Sequence, residues 1–264
     1  MIPVEKDSYH TDMHRGRSVF SRVFLGPKFT FYFQIFCVVW TSSRKALKGI
    51  YTAQKWAESS YDIVRALENI GVSISITGMD NMRKVDGPAV FIANHMSTLE
   101  TLVLPCIIQP AKPVTFVVKK SLIDMPVFGP VMRSRDPILV GRTNPREDLK
   151  AVLEGGTKKL HAGQSIIIFP QSTRSFTFKP DEFNTLGIKL ALKANVPVVP
   201  IALKTDAWGI GKIMKEFGPI DTSKKVYFAI GGPITIQNRG AEEHQKIIEF
   251  ITGKLEEWQK EDHA

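Results

Sequence analysis

Residues 89–100 read Ala-Val-Phe-Ile-Ala-Asn-His-Met-Ser-Thr-Leu-Glu and join a short apolar run to a polar turn and the start of a helical pattern. A run of this kind before such a turn is typical of a buried strand that leads into a helix. His95 then lies at the edge of a sheet, where a substrate can reach it. Glu100 follows five residues later and can fold back to the imidazole across the first helical turn. The stretch therefore predicts an α/β arrangement and a candidate pair of general base and carboxylate.

The same alternation of strands and helices extends through residues 71–264, which we interpret as one domain. Apolar and β-branched runs predict strands at 72–77, 89–93, 114–118, 138–140, 165–169, 198–203, 226–230 and 234–236. Helical patterns fall near 98–108, 145–161, 184–194 and 241–260. This rhythm predicts an α/β fold with a mostly parallel sheet flanked by helices.

The composition is that of a folded protein with an excess of positive charge. Of the 264 residues, 43% are hydrophobic and 23% are charged, which excludes whole-chain disorder and a small disulfide scaffold. The net charge of +9 favours an anionic partner. Nucleic acid is disfavoured because the basic residues are not interleaved with aromatic residues on a recognition module. Cys37 and Cys106 lack zinc-site or disulfide spacing, so we expect no metal and a reducing compartment.

Residues 1–70 lack the alternating strand and helix pattern of the rest of the chain. The fifteen residues from Phe29 to Ser43 carry no charge, are rich in aromatic side chains and have basic residues on both sides. A helix of this length is about 22 Å long, short of the roughly 30 Å hydrocarbon core of a bilayer. A second helix from Ser43 to Asn69, ending at Gly71, would complete a two-helix motif. We expect the motif to dock on one leaflet; a buried core helix and a membrane-spanning helix are the alternatives.

Three further motifs lie next to or within predicted strands. Phe-Pro-Gln-Ser-Thr-Arg, at 169–174, follows a buried strand, and its arginine can grip a phosphate bidentately. Lys119 and Arg142, with Pro-Val-Phe-Gly at 126–129 between them, could complete a phosphate pocket. Val-Pro-Val-Val-Pro, at 196–200, has prolines that indicate an edge strand or a fixed bend.

Each of these motifs, taken alone, also has a purely structural interpretation. Ser97 and Glu100 form an S-x-x-E capping box, which requires no catalysis. His95 could be a structural histidine, and a basic residue in a loop is ordinarily solvated.

Taken in order, the four motifs resemble blocks I to IV of the glycerolipid acyltransferases, of the lysophosphatidic acid acyltransferase type. The resemblance covers roughly residues 70–205. It implies the fold of that family and transfer of a fatty acyl group from acyl-CoA or acyl-ACP to the free hydroxyl of lysophosphatidic acid, without a cofactor. It implies that His95 is the general base and Glu100 its partner. For the acceptor lysophospholipid it implies a binding set composed of Arg174, Gln171, Thr173, Arg142, Lys119 and Ser172.

The chain departs from the family pattern in two blocks. Block I normally ends in Asp, whereas Glu100 keeps the charge on a longer side chain. Block III normally reads Phe-Pro-Glu-Gly-Thr-Arg, whereas this chain has Gln171 and Ser172, which bear on the identity of the acceptor. Two alternatives therefore stay open, namely another lyso acceptor, such as a lyso-ornithine lipid or another lysophospholipid, and a non-catalytic lipid-binding protein. The resemblance further implies a monotopic protein of phospholipid biosynthesis on the cytoplasmic face of the inner (plasma) membrane, whose surface is anionic.

Overall fold

The computed structural model describes Ile2 and residues 6–12, 26–171, 173–211 and 216–263. Within these residues the strands are β1 (Tyr9–His10), β2 (Ile74–Thr77), β3 (Val90–Ala93), β4 (Val114–Lys119), β5 (Ile138–Val140), β6 (Ser165–Ile168), β7 (Val198–Lys204) and β8 (Val226–Ile230). The helices are α1 (Gly26–Leu47), α2 (Ala53–Asn69), α3 (Asp80–Arg83), α4 (Leu99–Ile108), α5 (Phe128–Arg133), α6 (Pro145–His161), α7 (Leu186–Ala194) and α8 (Ala241–His263). Short 3₁₀ turns lie at Lys120–Leu122 and Pro180–Glu182.

The described strands form one sheet in the order β1-β2-β8-β7-β3-β6-β4-β5. Strands β7, β3, β6, β4 and β5 run parallel to one another. Strands β2 and β8 are parallel to each other, but β8 is antiparallel to β7. The prediction of a mostly parallel sheet flanked by helices is confirmed. Because the carboxyl ends of parallel strands share one edge of a sheet, the segments that follow β3, β6, β4 and β5 meet there.

Helices cover both faces of the sheet, as the period-two alternation of strand residues requires. In β3, Phe91 and Ala93 belong to the core that includes residues of α1, α2, α4 and α5. Val90 and Ile92 belong to the opposite core, with residues of α6, α7 and α8. The predicted boundary between residues 70 and 71 therefore lies within one continuous core, because α2 packs under the sheet.

The N-terminal helices form the expected pair, but the break between them is not at Ser43. Helix α1 continues to Leu47, and the chain turns at Gly49, whose φ of 69° is unfavourable for residues with a Cβ. The prediction was wrong because the polar residues at the end of the apolar run do not interrupt the helical hydrogen bonds. Helix α2 ends as predicted, with Gly71 N–H donating to the Glu68 carbonyl. No helix of the described residues has both the length and the apolar character needed to cross a bilayer.

Two other local predictions are corrected by the structure. The run 234–236 contributes a single bridge between Ile234 and Val198, and Pro233 before it has no N–H to extend the ladder. Strand β7 is not an edge strand, although it contains Pro200. Its ladder with β8 begins only at Ile201, so the missing N–H of Pro200 costs no hydrogen bond on that side. Strand β1, which adds to β2 at the sheet edge, was not predicted.

Candidate active site

The backbone of His95 is fixed between two neighbouring strands. The preceding residue, Asn94, is buried, donates from Nδ2 to the Leu203 carbonyl at 2.8 Å and accepts from the Leu203 N–H at 2.9 Å. On the other side, His95 N–H donates to Gln171 Oε1 at 2.7 Å, and the His95 carbonyl accepts from the Ser175 N–H at 2.9 Å. The end of β3 is thus held to β7 and to the loop after β6, which fixes where the imidazole begins.

The imidazole of His95 is paired with the carboxylate of Glu100. The Nδ1 to Oε1 distance is 2.8 Å, and the Glu100 side chain is completely buried. The same Oε1 accepts the N–H groups of Met96 and Ser97 at 2.7 and 2.9 Å. Thr205, the residue after β7, donates its hydroxyl to Oε2 at 2.7 Å. Since Glu100 is surrounded by donors, Nδ1 carries the proton of the neutral imidazole.

Opposing effects act on the pKa of Glu100. Burial alone would raise this pKa, because a charged group loses its hydration. The hydrogen bond and charge interaction with His95, and the hydrogen bond from Thr205, outweigh burial and hold the pKa of Glu100 below its usual value. The carboxylate is therefore ionised at neutral pH. It binds the Ser97 N–H, as in a capping box, and the His95 imidazole at the same time, so the two interpretations of Glu100 are compatible.

The second nitrogen of the imidazole is available to a substrate. Among the described residues, no group forms a hydrogen bond with Nε2 of His95, and 13% of the side chain is exposed. The ring stacks on Phe169 with centroids 4.3 Å apart and an interplanar angle of 19°, and Phe169 in turn stacks on Phe116. The stack and the Glu100 hydrogen bond together fix the orientation of the ring, with Nε2 pointing away from Glu100.

Arg174 approaches the same edge from the loop after β6. One guanidinium nitrogen donates to Thr98 Oγ1, three residues after His95, and the other lies 2.9 Å from Glu216 Oε1. The side chain of Arg174 is 18% exposed. The structure therefore places a basic group against Thr98, at the start of α4 and three residues after the histidine.

The other predicted acceptor residues are distributed along this edge. Gln171 is buried against the His95 backbone, and Thr173 is exposed. Lys119 ends β4 and Arg142 follows β5, two and three strand positions from β3, which is roughly 10 and 14 Å across the sheet. The backbone N–H of Arg142 donates to Asp148 Oδ2 at 2.8 Å.

The positions of these residues do not test whether they bind the acceptor, so their substrate-binding roles stay predictions. The contacts of Arg174 within the described residues are with Thr98 and Glu216, and neither Lys119 nor Arg142 is among them. Ser172 lies outside the described residues.

The N–H groups around the start of α4 are already occupied. Those of Met96 and Ser97 bind Glu100, and that of Leu99 donates to Ser97 Oγ at 3.1 Å. The N–H of His95 binds Gln171. None of these four N–H groups can therefore donate to a substrate without breaking an existing hydrogen bond.

Three residues of the site were not assigned a role from the sequence. Asn94 belongs to the histidine motif at residues 89–100, but its hydrogen bonds to Leu203 depend on the neighbouring strand. Thr205 and Glu216 lie 105 and 42 residues from the groups that they bind. The fourth motif was the signal for Thr205, because β7 must end near β3 if the two strands are adjacent.

The fold and site define an α/β protein with a histidine paired to a buried carboxylate, and with an arginine at the same carboxyl edge of a parallel sheet. The sequence profile of the Acyltransferase family matches residues 73–204, half of the chain, and the chain belongs to this family. The match spans β2, the histidine motif, the arginine loop and β7.

Individual relatives agree with the family assignment. The chain is 30% identical over 152 residues to the 1-acyl-sn-glycerol-3-phosphate acyltransferase of Pseudomonas aeruginosa, covering 58% of this chain and 56% of the relative. It is also 30% identical over 146 residues to the enzyme of that name from Escherichia coli, covering 52% and 59%. The chain thus spans about half the length of the curated relatives it matches.

A solved structure shares the fold. The crystal structure of the 1-acyl-sn-glycerophosphate (LPA) acyltransferase from Thermotoga maritima superposes with a TM-score of 0.66 at 20% identity, over 88% of this chain and 95% of that one. The common architecture therefore extends beyond the segment matched by the family profile.

Proposed function

We propose that this protein transfers a fatty acyl group from an acyl-CoA or acyl-ACP thioester to the free hydroxyl of lysophosphatidic acid, giving phosphatidic acid. The observation that carries the proposal is the His95–Glu100 pair, because it leaves Nε2 without a hydrogen-bond partner among the described residues, at the sheet edge that also carries Arg174. Membership of the Acyltransferase family and the names of the relatives support the same reaction.

The chemistry follows from the state of the imidazole. Nε2 of His95 accepts the proton of the acceptor hydroxyl as its oxygen attacks the thioester carbonyl carbon. The charge of Glu100 stabilises the imidazolium through Nδ1–H. When the tetrahedral intermediate collapses, the carbon–sulfur bond breaks and the thiolate leaves with the electron pair. The imidazolium then releases its proton to the thiolate or to water, which restores the starting state.

The acceptor phosphate would bind at Arg174. A guanidinium presents a planar fork of donors that matches phosphate oxygens, and Thr98 already orients it towards the start of α4. Gln171, Thr173 and Ser172 would shape the glycerol region, while Lys119 and Arg142 would add positive charge further along the edge. Positive charge here suits a phosphomonoester better than a neutral or zwitterionic headgroup.

Arg174→Ala tests the phosphate site. We expect the KM for lysophosphatidic acid to rise about tenfold or more, because a charge-assisted contact to the phosphate is lost, while the KM for the acyl thioester changes little. The measurement is thiol release at varied acceptor and donor concentrations. The exposed Arg239→Ala is the matched control. Equal increases in both KM values would instead indicate a donor-site or folding role for Arg174.

We also propose that residues 1–70 dock the protein on the cytoplasmic face of an anionic inner membrane without crossing it. Helix α1 presents one exposed aromatic face, in which Phe29 and Phe33 are 54% and 56% exposed and Phe36 and Trp40 are 56% and 45% exposed. The exposed basic residues Lys28, Arg44, Lys45 and Lys48 lie near the helix ends. Aromatic and basic side chains in this arrangement suit the interface of an anionic bilayer.

Substitution of the aromatic face tests the docking proposal. Because α2 forms part of the core, point variants are cleaner than removal of the hairpin. Phe33→Ser combined with Phe36→Ser should lower binding to anionic liposomes at least tenfold, since each buried Phe contributes roughly 1.5–3 kcal/mol. Flotation is the measurement, and Leu192→Ser, an exposed apolar residue on α7, is the control. Undiminished flotation of the double variant would contradict docking through α1.

A further inference from the structure

The guanidinium that would bind the acceptor phosphate already has an anionic partner. Glu216 Oε1 lies 2.9 Å from Arg174 Nη2, with the arginine side chain 18% and the glutamate side chain 40% exposed. Glu216 belongs to the long connection between β7 and β8 and not to any of the four sequence motifs. A carboxylate therefore already binds Nη2 of Arg174, a donor that a phosphate oxygen would use.

The residues that follow Glu216 are held in place independently of Arg174. Gly209 N–H donates to the Pro219 carbonyl at 2.7 Å, and Trp208 and Ile220 form a bridge. Gly218 packs so closely that a Cβ there would lie 1.8 Å from the Gly209 carbonyl oxygen.

Helix α1 contacts the same segment. The Tyr32 hydroxyl donates to the Gly218 carbonyl, and its ring lies 5.6 Å from that of Phe217, the residue after Glu216. The position of Glu216 is therefore restrained by the contacts that residues 217–220 make with α1 and with Trp208 and Gly209.

We propose that Glu216 is an internal competitor for the acceptor phosphate: it pairs with Arg174, and a phosphate that binds there must displace it. This inference rests on the proposed function. Displacement costs the acceptor the free energy of the Glu216–Arg174 pair. The product carries the same phosphate and bears the same cost, so Glu216 weakens retention of phosphatidic acid as much as capture of lysophosphatidic acid. The thioester donor has no part in the competition.

Glu216→Gln should therefore lower two constants by the same factor. We expect the KM for lysophosphatidic acid and the inhibition constant of phosphatidic acid each to fall about two- to fivefold, the size of a partly exposed ion pair. The kcat and the KM for acyl-CoA should stay close to wild type. Glu182→Gln, which breaks the exposed pair with Lys179, is the matched control and should change none of these values.

The comparison in an Arg174→Ala background makes the test specific. In that background Glu216→Gln should have no effect on either constant, because the guanidinium for which Glu216 and the phosphate compete is absent. Glu216→Ala gives a second variant, and melting temperatures show whether each protein is folded. An unchanged or raised acceptor KM, or an equal effect with and without Arg174, would overturn the proposal. A wild-type protein with no activity on any lysolipid would instead contradict the proposed function itself.

Discussion

Replacing His95 with alanine is expected to lower kcat for acyl transfer by about 10²–10⁴-fold, the usual contribution of a positioned general base. In the proposed reaction Nε2 of the imidazole takes the proton of the attacking hydroxyl, and alanine has no group that can do so. The measurement is the initial rate of thiol release from acyl-CoA with saturating lysophosphatidic acid.

The controls separate chemistry from folding. In His95→Ala, Glu100 still accepts hydrogen bonds from the backbone N–H groups of Met96 and Ser97 and from the hydroxyl of Thr205. The variant should therefore retain the wild-type fold and liposome binding. His161→Ala on α6, on the other side of the sheet, is the matched histidine control. Activity of His95→Ala within about threefold of wild type would exclude the proposed base, given the size of effect that such a base has.

Glu100→Gln is expected to lower kcat by about 10²-fold, because an amide cannot supply the negative charge that stabilises the imidazolium. The amide oxygen can still accept the Nδ1–H, so the imidazole keeps its tautomer. Glu100→Asp keeps the charge and should retain more activity than Glu100→Gln. Full activity of Glu100→Gln together with a lower melting temperature would leave the carboxylate with a helix-capping role alone.

The stability of the same variant should depend on pH in a defined direction. Since the folded pKa of Glu100 is below its usual value, its ionised form stabilises the fold above the unfolded pKa of about 4.3, and this contribution is lost as pH falls through the folded pKa. The difference between wild type and Glu100→Gln in urea unfolding should therefore shrink as pH falls below about 5. A difference that grows over this acidic range would contradict the pKa direction.

The fold could be predicted from the sequence where one local pattern determines an element. The apolar runs before the turns at 94 and 169 are strands β3 and β6, and α6 has the predicted bounds. Strand β1 has only two residues and forms by pairing with β2, so its sequence is too short to show the alternation of apolar and polar residues that predicts a strand. The end of α1 was misplaced because the Thr-Ser-Ser segment lowers apolar character without breaking helical hydrogen bonds.

The candidate site was predictable to the extent that its contacts are local. The His95 to Glu100 hydrogen bond spans five residues and follows from the start of α4. The contact of Thr205 with Glu100 and that of Glu216 with Arg174 require the sheet order and the β7–β8 connection, which no short motif encodes.

Gln171 was predicted at the acceptor, yet its amide oxygen binds the His95 backbone. A glutamate carboxylate, the family residue at this position, could accept the same N–H, so the substitution preserves a structural hydrogen bond.

The acceptor panel tests the central claim most directly. Purified protein in anionic liposomes would be given acyl-CoA with lysophosphatidic acid, a lyso-ornithine lipid or lysophosphatidylcholine, beside His95→Ala as the blank. Thiol release gives the rate, and mass spectrometry identifies the product. We expect phosphatidic acid to form fastest, and only when His95 is present. Acylation of another lyso acceptor in preference to lysophosphatidic acid, or phosphatidic acid formed equally by His95→Ala, would contradict the account.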